Sequence, residues 1–221
     1  MLRDFTRYRR KMSVGFASEV AARPLIYIPI IHTQADMGAF RNTVQQLKTR
    51  RLGRKGLERN VSLIDRLWTK IEKTIDQLPL LYERVRLYQD GLPVCGREVE
   101  IVAELARAGA RNHQLLLRLN ERGATIMGTE SSELLVEEYQ LIKVLLASGE
   151  PVGTRSIGAR QKGLSDSLLK RRDMYIAQRI NETLRANETG ILFIGMLHRL
   201  TLWLDKDIRV TYPLKLGSLS P

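Results

Sequence analysis

Two of the chain's three histidines, His32 and His198, come directly after short apolar runs, PLIYIPII (24–31) and ILFIGML (191–197). Imidazole carries protons near neutral pH and ligates metals, so a histidine delivered by the end of a buried strand is equipped for either task. Two carboxylates stand in matching places: Asp90 near the end of ERVRLYQDG (83–91) and Glu130 at the end of ATIMGTE (124–130). Imidazole with carboxylate suits zinc, manganese, cobalt or iron, and a three-ligand set leaves one position for an activated water. His32, Glu130 and His198 are therefore the expected ligands of a divalent metal ion, with Asp36 or Asp90 orienting a ligand or acting as general base. Each residue also has a plainer role open to it. A strand-end histidine can be a hydrogen-bonded packing residue, Glu130 can favour the N-terminus of the following helix, and Asp90 can be a turn residue before Gly91.

The elements that must position these groups alternate in type. Short β-branched or all-apolar runs predict strands at 24–31, 83–91, 124–130, in ILFIG and in IRVTYPL. Longer stretches of helical period separate them: two helices parted near Gly53–Gly56, a helix interrupted at Gly109, and one begun by a Ser131 or Ser132 cap and stopped at Gly149. A glycine-rich loop through EPVGTRSIGARQKG comes next, then a long helix capped by Ser165, and HRLTLWLD as a short helix. Such alternation predicts a single α/β domain: a mostly parallel sheet of about five strands with helices on both faces. Ligands of such sheets bind outside the carboxyl ends of the strands. That edge is where His32, Asp90, Glu130 and His198 all fall. The expected organisation is a basic arm over 1–23, the α/β domain over 24–213 and a tail over 214–221.

Gly195-Met196-Leu197-His198 is a GxxH element at a strand end, and the helix KRRDMYIAQRINETL (170–184) leads into it. In this the chain resembles the TraB/PrgY/Tiki superfamily, which also embraces erythromycin-esterase-like and ChaN-like proteins. Arg172, Asp173 and His198 match the family's Arg-helix and second GxxH positions. Its first GxxH falls on Pro29-Ile30-Ile31-His32, where proline replaces the glycine, and its intervening acid can fall on Glu130. The resemblance spans about residues 24–40 and 165–212. It implies an α/β core with two central histidines and, as in Tiki-like members, metal-dependent hydrolysis of a peptide or ester bond. Arg172 would then steady a substrate or a developing oxyanion. ChaN-like members are linked to haem and erythromycin-esterase-like members open a lactone, so the shared element is the site rather than one reaction.

Composition limits the partners. With 36 Lys and Arg against 24 Asp and Glu, the net charge is +12. Between residues 41 and 59 seven basic side chains face one acid, and Arg50, Arg51, Arg54 and Lys55 are the candidate contacts to phosphate or nucleic acid through a basic surface. A solvated face explains the same charges. Arg155, Arg160 and Lys162 lie in the glycine-rich loop, where a lid over an anionic substrate would need them. No apolar run approaches the length of a spanning helix, so no membrane contact is expected. One cysteine, Cys95, allows no internal disulfide, and the basic N-terminus has no apolar stretch behind it, which together fit the cytoplasm. There is no GxSxG, HExxH, P-loop or GxGxxG, which removes sequence support for serine hydrolase, zincin, NTPase and dinucleotide-binding readings. His113, inside a helical stretch, is expected on a polar face or in packing.

Overall fold

The structure, a computed structural model, describes residues 22–31, 41–147 and 159–214. Five parallel strands form one sheet: β1 (Arg23–Ile30), β2 (Val85–Gln89), β3 (Thr125–Met127), β4 (Thr189–Gly195) and β5 (Ile208–Thr211), in the order β3-β2-β4-β1-β5. The helices are α1 (Arg41–Asp76), α2 (Glu98–Arg107), α3 (Arg111–Glu121), α4 (Ser132–Ala147) and α5 (Ala159–Thr183), with 3-10 turns at Tyr82–Arg84 and Leu200–Trp203. This is the expected single-domain α/β fold. Among the described residues no helix is long and apolar enough to cross a membrane.

The apolar runs read as strands because both faces of the sheet are covered. Ile191 and Phe193 of β4 pack with Trp68, Ile71 and Ile75 of α1 and with Leu116 and Leu119 of α3. Leu192 and Ile194 point the other way, onto Ile176, Ala177 and Ile180 of α5. The chain steps outward from β1 through β2 to β3 with α1, α2 and α3 on one face. It returns to the middle of the sheet through α4 and α5 on the other, as right-handed crossovers require. β4 thus enters between β1 and β2, and the carboxyl ends of these three strands meet where the winding reverses. Such a reversal opens a crevice.

The expected break near Gly53 is present: α1 is two helices joined across a kink at Gly53, whose φ of 66° and ψ of 171° are not helical. Other local expectations shift. α2 and α3 are separate helices, parted at Gly109 with φ of 88°. α5 starts at Ala159 rather than after Ser165, because Gly163 faces open space and a glycine in an exposed helical turn costs only about 1 kcal/mol. Arg160 and Lys162 therefore belong to α5, not to a lid loop. HRLTLWLD forms only the 3-10 turn. His32, Asp36 and Arg155 lie outside the described residues, as do the side chains of Arg50, Arg51, Arg54 and Arg160. Lys55 is exposed on α1.

Candidate functional site

The ends of β2, β3 and β4 contribute to one buried cluster. β2 ends at Gln89 and delivers Asp90, whose amide donates to the Phe193 carbonyl of β4 at 2.9 Å. β3 ends at Met127 because the chain there passes too close to its neighbour for a side chain: a Cβ on Gly128 would lie 2.7 Å from the Val94 Cα and 2.7 Å from the Glu98 carboxylate. Pairing then resumes as a single bridge between Pro93 and Glu130. The Thr129 and Glu130 amides donate to the Leu92 carbonyl, and the Val94 amide donates to that of Glu130. Glu130 is in this way held by its backbone with its carboxylate fully buried. Ser131 caps α4, its hydroxyl accepting the Leu134 amide at 3.2 Å.

Arg172 of α5 fills the centre. Its Nε and Nη2 donate to the two Glu130 oxygens at 3.0 and 2.5 Å, Nη2 also donates to Asp90 Oδ1 at 2.9 Å, and Nη1 donates to Glu138 of α4. The bidentate fork is the strong form of this pair. Burial opposes the Arg172 charge, but its hydrogen bonds to Glu130 and the fields of Glu130 and Asp90 outweigh it and hold the proton more tightly than usual. Burial pushes the Glu130 carboxyl up, against the pull of Arg172 and with the help of the nearby Asp90 charge. Arg172, expected to reach substrate, instead spends its donors on the protein's own carboxylates.

The second half of the cluster is His198. The His198 amide donates to the Gly195 carbonyl, so the GxxH residues form a tight turn at the end of β4. Its Nδ1 donates to Asp173 Oδ1 at 2.6 Å, and Asp173 Oδ2 accepts the Arg199 amide at 2.9 Å. Its Nε2 faces Asp90 Oδ2 at 3.5 Å, and that oxygen also accepts the Gly195 amide at 2.9 Å. Burial disfavours the imidazolium, yet the hydrogen bond to Asp173 and the charge of Asp90 prevail over it and over Arg172, and the His198 pKa is raised. Tyr27 of β1 donates its hydroxyl to the His198 carbonyl at 3.4 Å. Burial pushes that phenol up to about 12, which keeps it protonated and a donor.

Of the expected site residues, the structure brings together Asp90, Glu130, Arg172 and His198. Asp90 proves to be more than a turn residue, and Glu130 serves an ion pair rather than a helix terminus. Asp173, quoted only through the family resemblance, holds the histidine. Glu138 was not foreseen, although the paired doublets Glu137-Glu138 and Arg171-Arg172 were legible: Arg171 also bonds Glu137, at 2.7 and 2.8 Å. Among the described residues no group of three His, Cys, Asp or Glu is placed to hold a metal ion. Both Glu130 oxygens are committed to Arg172, so Glu130 does not fit a ligand set in this arrangement. His113 is buried as a packing residue, its Nδ1 2.8 Å from the Asn112 amide oxygen.

Fold and site together define a parallel α/β protein with an arginine–carboxylate cluster and an Asp–His pair at its switch point. No protein-family model matches the chain, and neither a curated protein nor a solved structure gives a match.

Proposed function

We propose that this sheet edge is the hydrolytic site of an enzyme that cleaves a peptide or ester bond, in the manner of TraB-like proteins, with His198 as the group that moves the proton. The observation that carries the reading is the Asp173–His198 pair. Asp173 occupies Nδ1, so exchange with a reactant falls to Nε2, which faces Asp90 Oδ2 at 3.5 Å, and the two acids strengthen the imidazole's hold on a proton against burial. Water adds its oxygen to the acyl carbon and gives a proton to Nε2. The bond from that carbon to the leaving oxygen or nitrogen breaks, and Nε2 returns the proton to the leaving atom. Arg172 acts through the carboxylates it holds, anchoring Asp90 Oδ1 while the Gly195 amide holds the Oδ2 that faces His198.

A divalent metal held by His32 and by His198 Nε2 would be an alternative form of the site, with Lewis-acid activation of the water in place of proton transfer by Nε2. What supports it is the register: β1 ends with Ile30 opposite Gly195, and His32 follows two residues later in the chain. The test joins the two forms. Purified protein is assayed on peptide and ester substrates and analysed for metal beside His198→Asn, Asp173→Asn and His32→Ala. His198→Asn should lose roughly 10²–10⁴-fold in turnover and Asp173→Asn should lose less. Undiminished turnover in His198→Asn would sink the reading, and metal retained by the wild type but lost from both histidine variants supports the metal form. The net charge of +12 supports a second role, salt-sensitive contact of the basic stretch of α1 with nucleic acid. The exposed lone thiol of Cys95 fits a reducing cytoplasm.

A further inference from the structure

Beyond the kink at Gly53, α1 sorts its residues onto three sides. At about 3.6 residues per turn, Ile64, Leu67, Trp68, Ile71 and Ile75 share the side that enters the core. Glu58, Asp65, Glu72 and Asp76 line a second side. Three of these acids are taken up by arginines of α3 and its carboxyl cap: Arg111 lies 3.9 Å from Asp65 and 2.9 Å from Glu72, and Arg118 and Arg122 each lie 3.4 Å from Asp76. The third side, turned away from the sheet, holds Lys55, Arg59, Arg66, Lys70 and Lys73 within an arc of roughly 60°. All but the half-buried Lys70 are exposed. Among the described residues no carboxylate pairs with Lys55, Arg59, Arg66 or Lys73. Arg59 Nε donates to the Lys55 carbonyl at 3.4 Å and Arg66 Nη1 to the Ser62 hydroxyl at 3.0 Å, so both guanidiniums lie along the row.

A helix face that is merely solvated gains by alternating opposite charges three and four residues apart. This one sets like charges there: Lys55 with Arg59, Arg66 with Lys70, and Lys70 with Lys73. Such neighbours repel and weaken the helix, and an anionic partner would offset that cost. We infer that this row of cations tracks the phosphates of one strand of a nucleic-acid duplex, without reading its sequence. The inference rests on the nucleic-acid reading of the basic stretch, and moves the contact onto the part of α1 that is packed against the sheet. The shape of the row selects the partner. From Lys55 to Lys73 it runs about 27 Å while staying one side chain wide, which suits a line of phosphates rather than a plane of lipid head groups. A helix that lies in a membrane surface keeps a wide apolar side for the bilayer, whereas the apolar side of α1 is committed to the core and leaves Val61 and Leu63 as its exposed apolar residues. Single-strand binders stack bases on aromatic rings, and the one aromatic of α1, Trp68, is fully buried. Contacts to phosphate fix a protein on the duplex and carry no sequence information.

The experiment is fluorescence anisotropy on the full chain, with labelled DNA duplexes of about 20 base pairs and two unrelated sequences, at salt from about 50 to 300 mM. Wild type should bind both duplexes alike, with log affinity falling against log salt at a slope of about −4, as contact with four to five phosphates requires. Arg66→Gln with Lys73→Gln should make that slope shallower by about two and weaken binding at least about tenfold near 100 mM salt. Thermal unfolding of this double variant should stay at or above that of wild type, because repulsion along the helix is relieved. Arg50→Gln, Arg51→Gln and Arg54→Gln together probe the neighbouring stretch. Binding that fails in this triple variant and is unchanged in the double variant overturns the row and leaves the nucleic-acid reading standing. No duplex binding by wild type at the lowest salt overturns both. A single strand of equal length bound more tightly than the duplex, or binding to phosphatidylserine vesicles without binding to the duplex, overturns the choice of partner.

Discussion

Two arginines held by carboxylates meet at α5, Arg172 in its middle and Arg23 at its carboxyl end, and the two clusters differ in one respect that separates scaffold from site. At the amino edge of the sheet, Arg23 of β1 donates to both oxygens of Asp207 at 2.6 and 2.9 Å, to Asp205 at 3.0 Å, and to the Asn181 and Leu184 carbonyls at 2.7 and 2.8 Å. Its bonds close on themselves: the fork joins β1 to the turn before β5 and satisfies carbonyls at the end of α5, where a cation is favoured. Its acids reach solvent. At the carboxyl edge, Asp90 and Glu130 beside Arg172 are buried and have further duties, while Glu138 alone is part-exposed. Asp90 binds the Gly195 amide and faces His198, Glu130 accepts the Gly91 amide at 3.2 Å, and Asp173 holds the histidine. The first network ends in water, while the second ends in a buried titratable group at the switch point of the sheet.

Removing the central guanidinium from each cluster tests that contrast most strongly. Arg172→Met leaves Glu130 buried without a counter-charge and Asp90 with His198 alone, and should cost about 3–5 kcal/mol of unfolding free energy in a denaturant titration. Adding Glu130→Met to it should recover a good part of the loss, because well-packed apolar side chains can replace a buried ion pair. Arg23→Met should lose no more than half as much as Arg172→Met, since Asp205 and Asp207 rehydrate, and it should leave turnover intact. A loss below about 1 kcal/mol for Arg172→Met would mean that its carboxylates are not desolvated, and the contrast would fall. Gly128→Ala comes next at about 1–3 kcal/mol, because the new methyl would press on the Val94 Cα and the Glu98 carboxylate and displace the segment that carries Glu130. Its turnover should fall together with its stability, whereas Arg23→Met should separate the two.

The strands and their common edge were legible because burial on both faces writes a continuous apolar run, as in ILFIG and PLIYIPI. The long-range pairing was not. Asp90 looks like a turn acid because it is one, with Gly91 at φ of 78° behind it, and nothing in the letters around it says that its carboxylate is buried against a guanidinium 82 residues away. Glu130 was found at the right edge but given a metal, since a carboxylate beside histidines carries the same local signature whether it faces a cation from solution or one from α5. The start of α5 was missed because a glycine reads as a stop, although on a solvent-facing helical turn it is merely a weak helix former.

The smallest expected effect sharpens the comparison through pH. The His198 pKa is raised above the ordinary 6.5 by the hydrogen bond to Asp173 and the charge of Asp90, which exceed the opposing effect of burial. A basic group with a raised folded-state pKa binds its proton more tightly when folded. Its contribution to stability is therefore complete below the unfolded value of 6.5 and drains away as pH rises through the higher folded value. Unfolding free energies of wild type and His198→Asn, measured from about pH 6 upward, should lie farthest apart at the acid end and converge with rising pH. The gap between wild type and Arg23→Met should stay level over the same interval. Arg23 keeps its charge throughout, and the Arg23 guanidinium holds the Asp207 carboxyl below the usual carboxylate range, where it does not titrate near neutrality. A His198→Asn gap that widens with pH would mean that the imidazole is buried neutral. The Asp173–His198 pair would then be an orienting contact without the raised proton affinity on which the proposed chemistry depends.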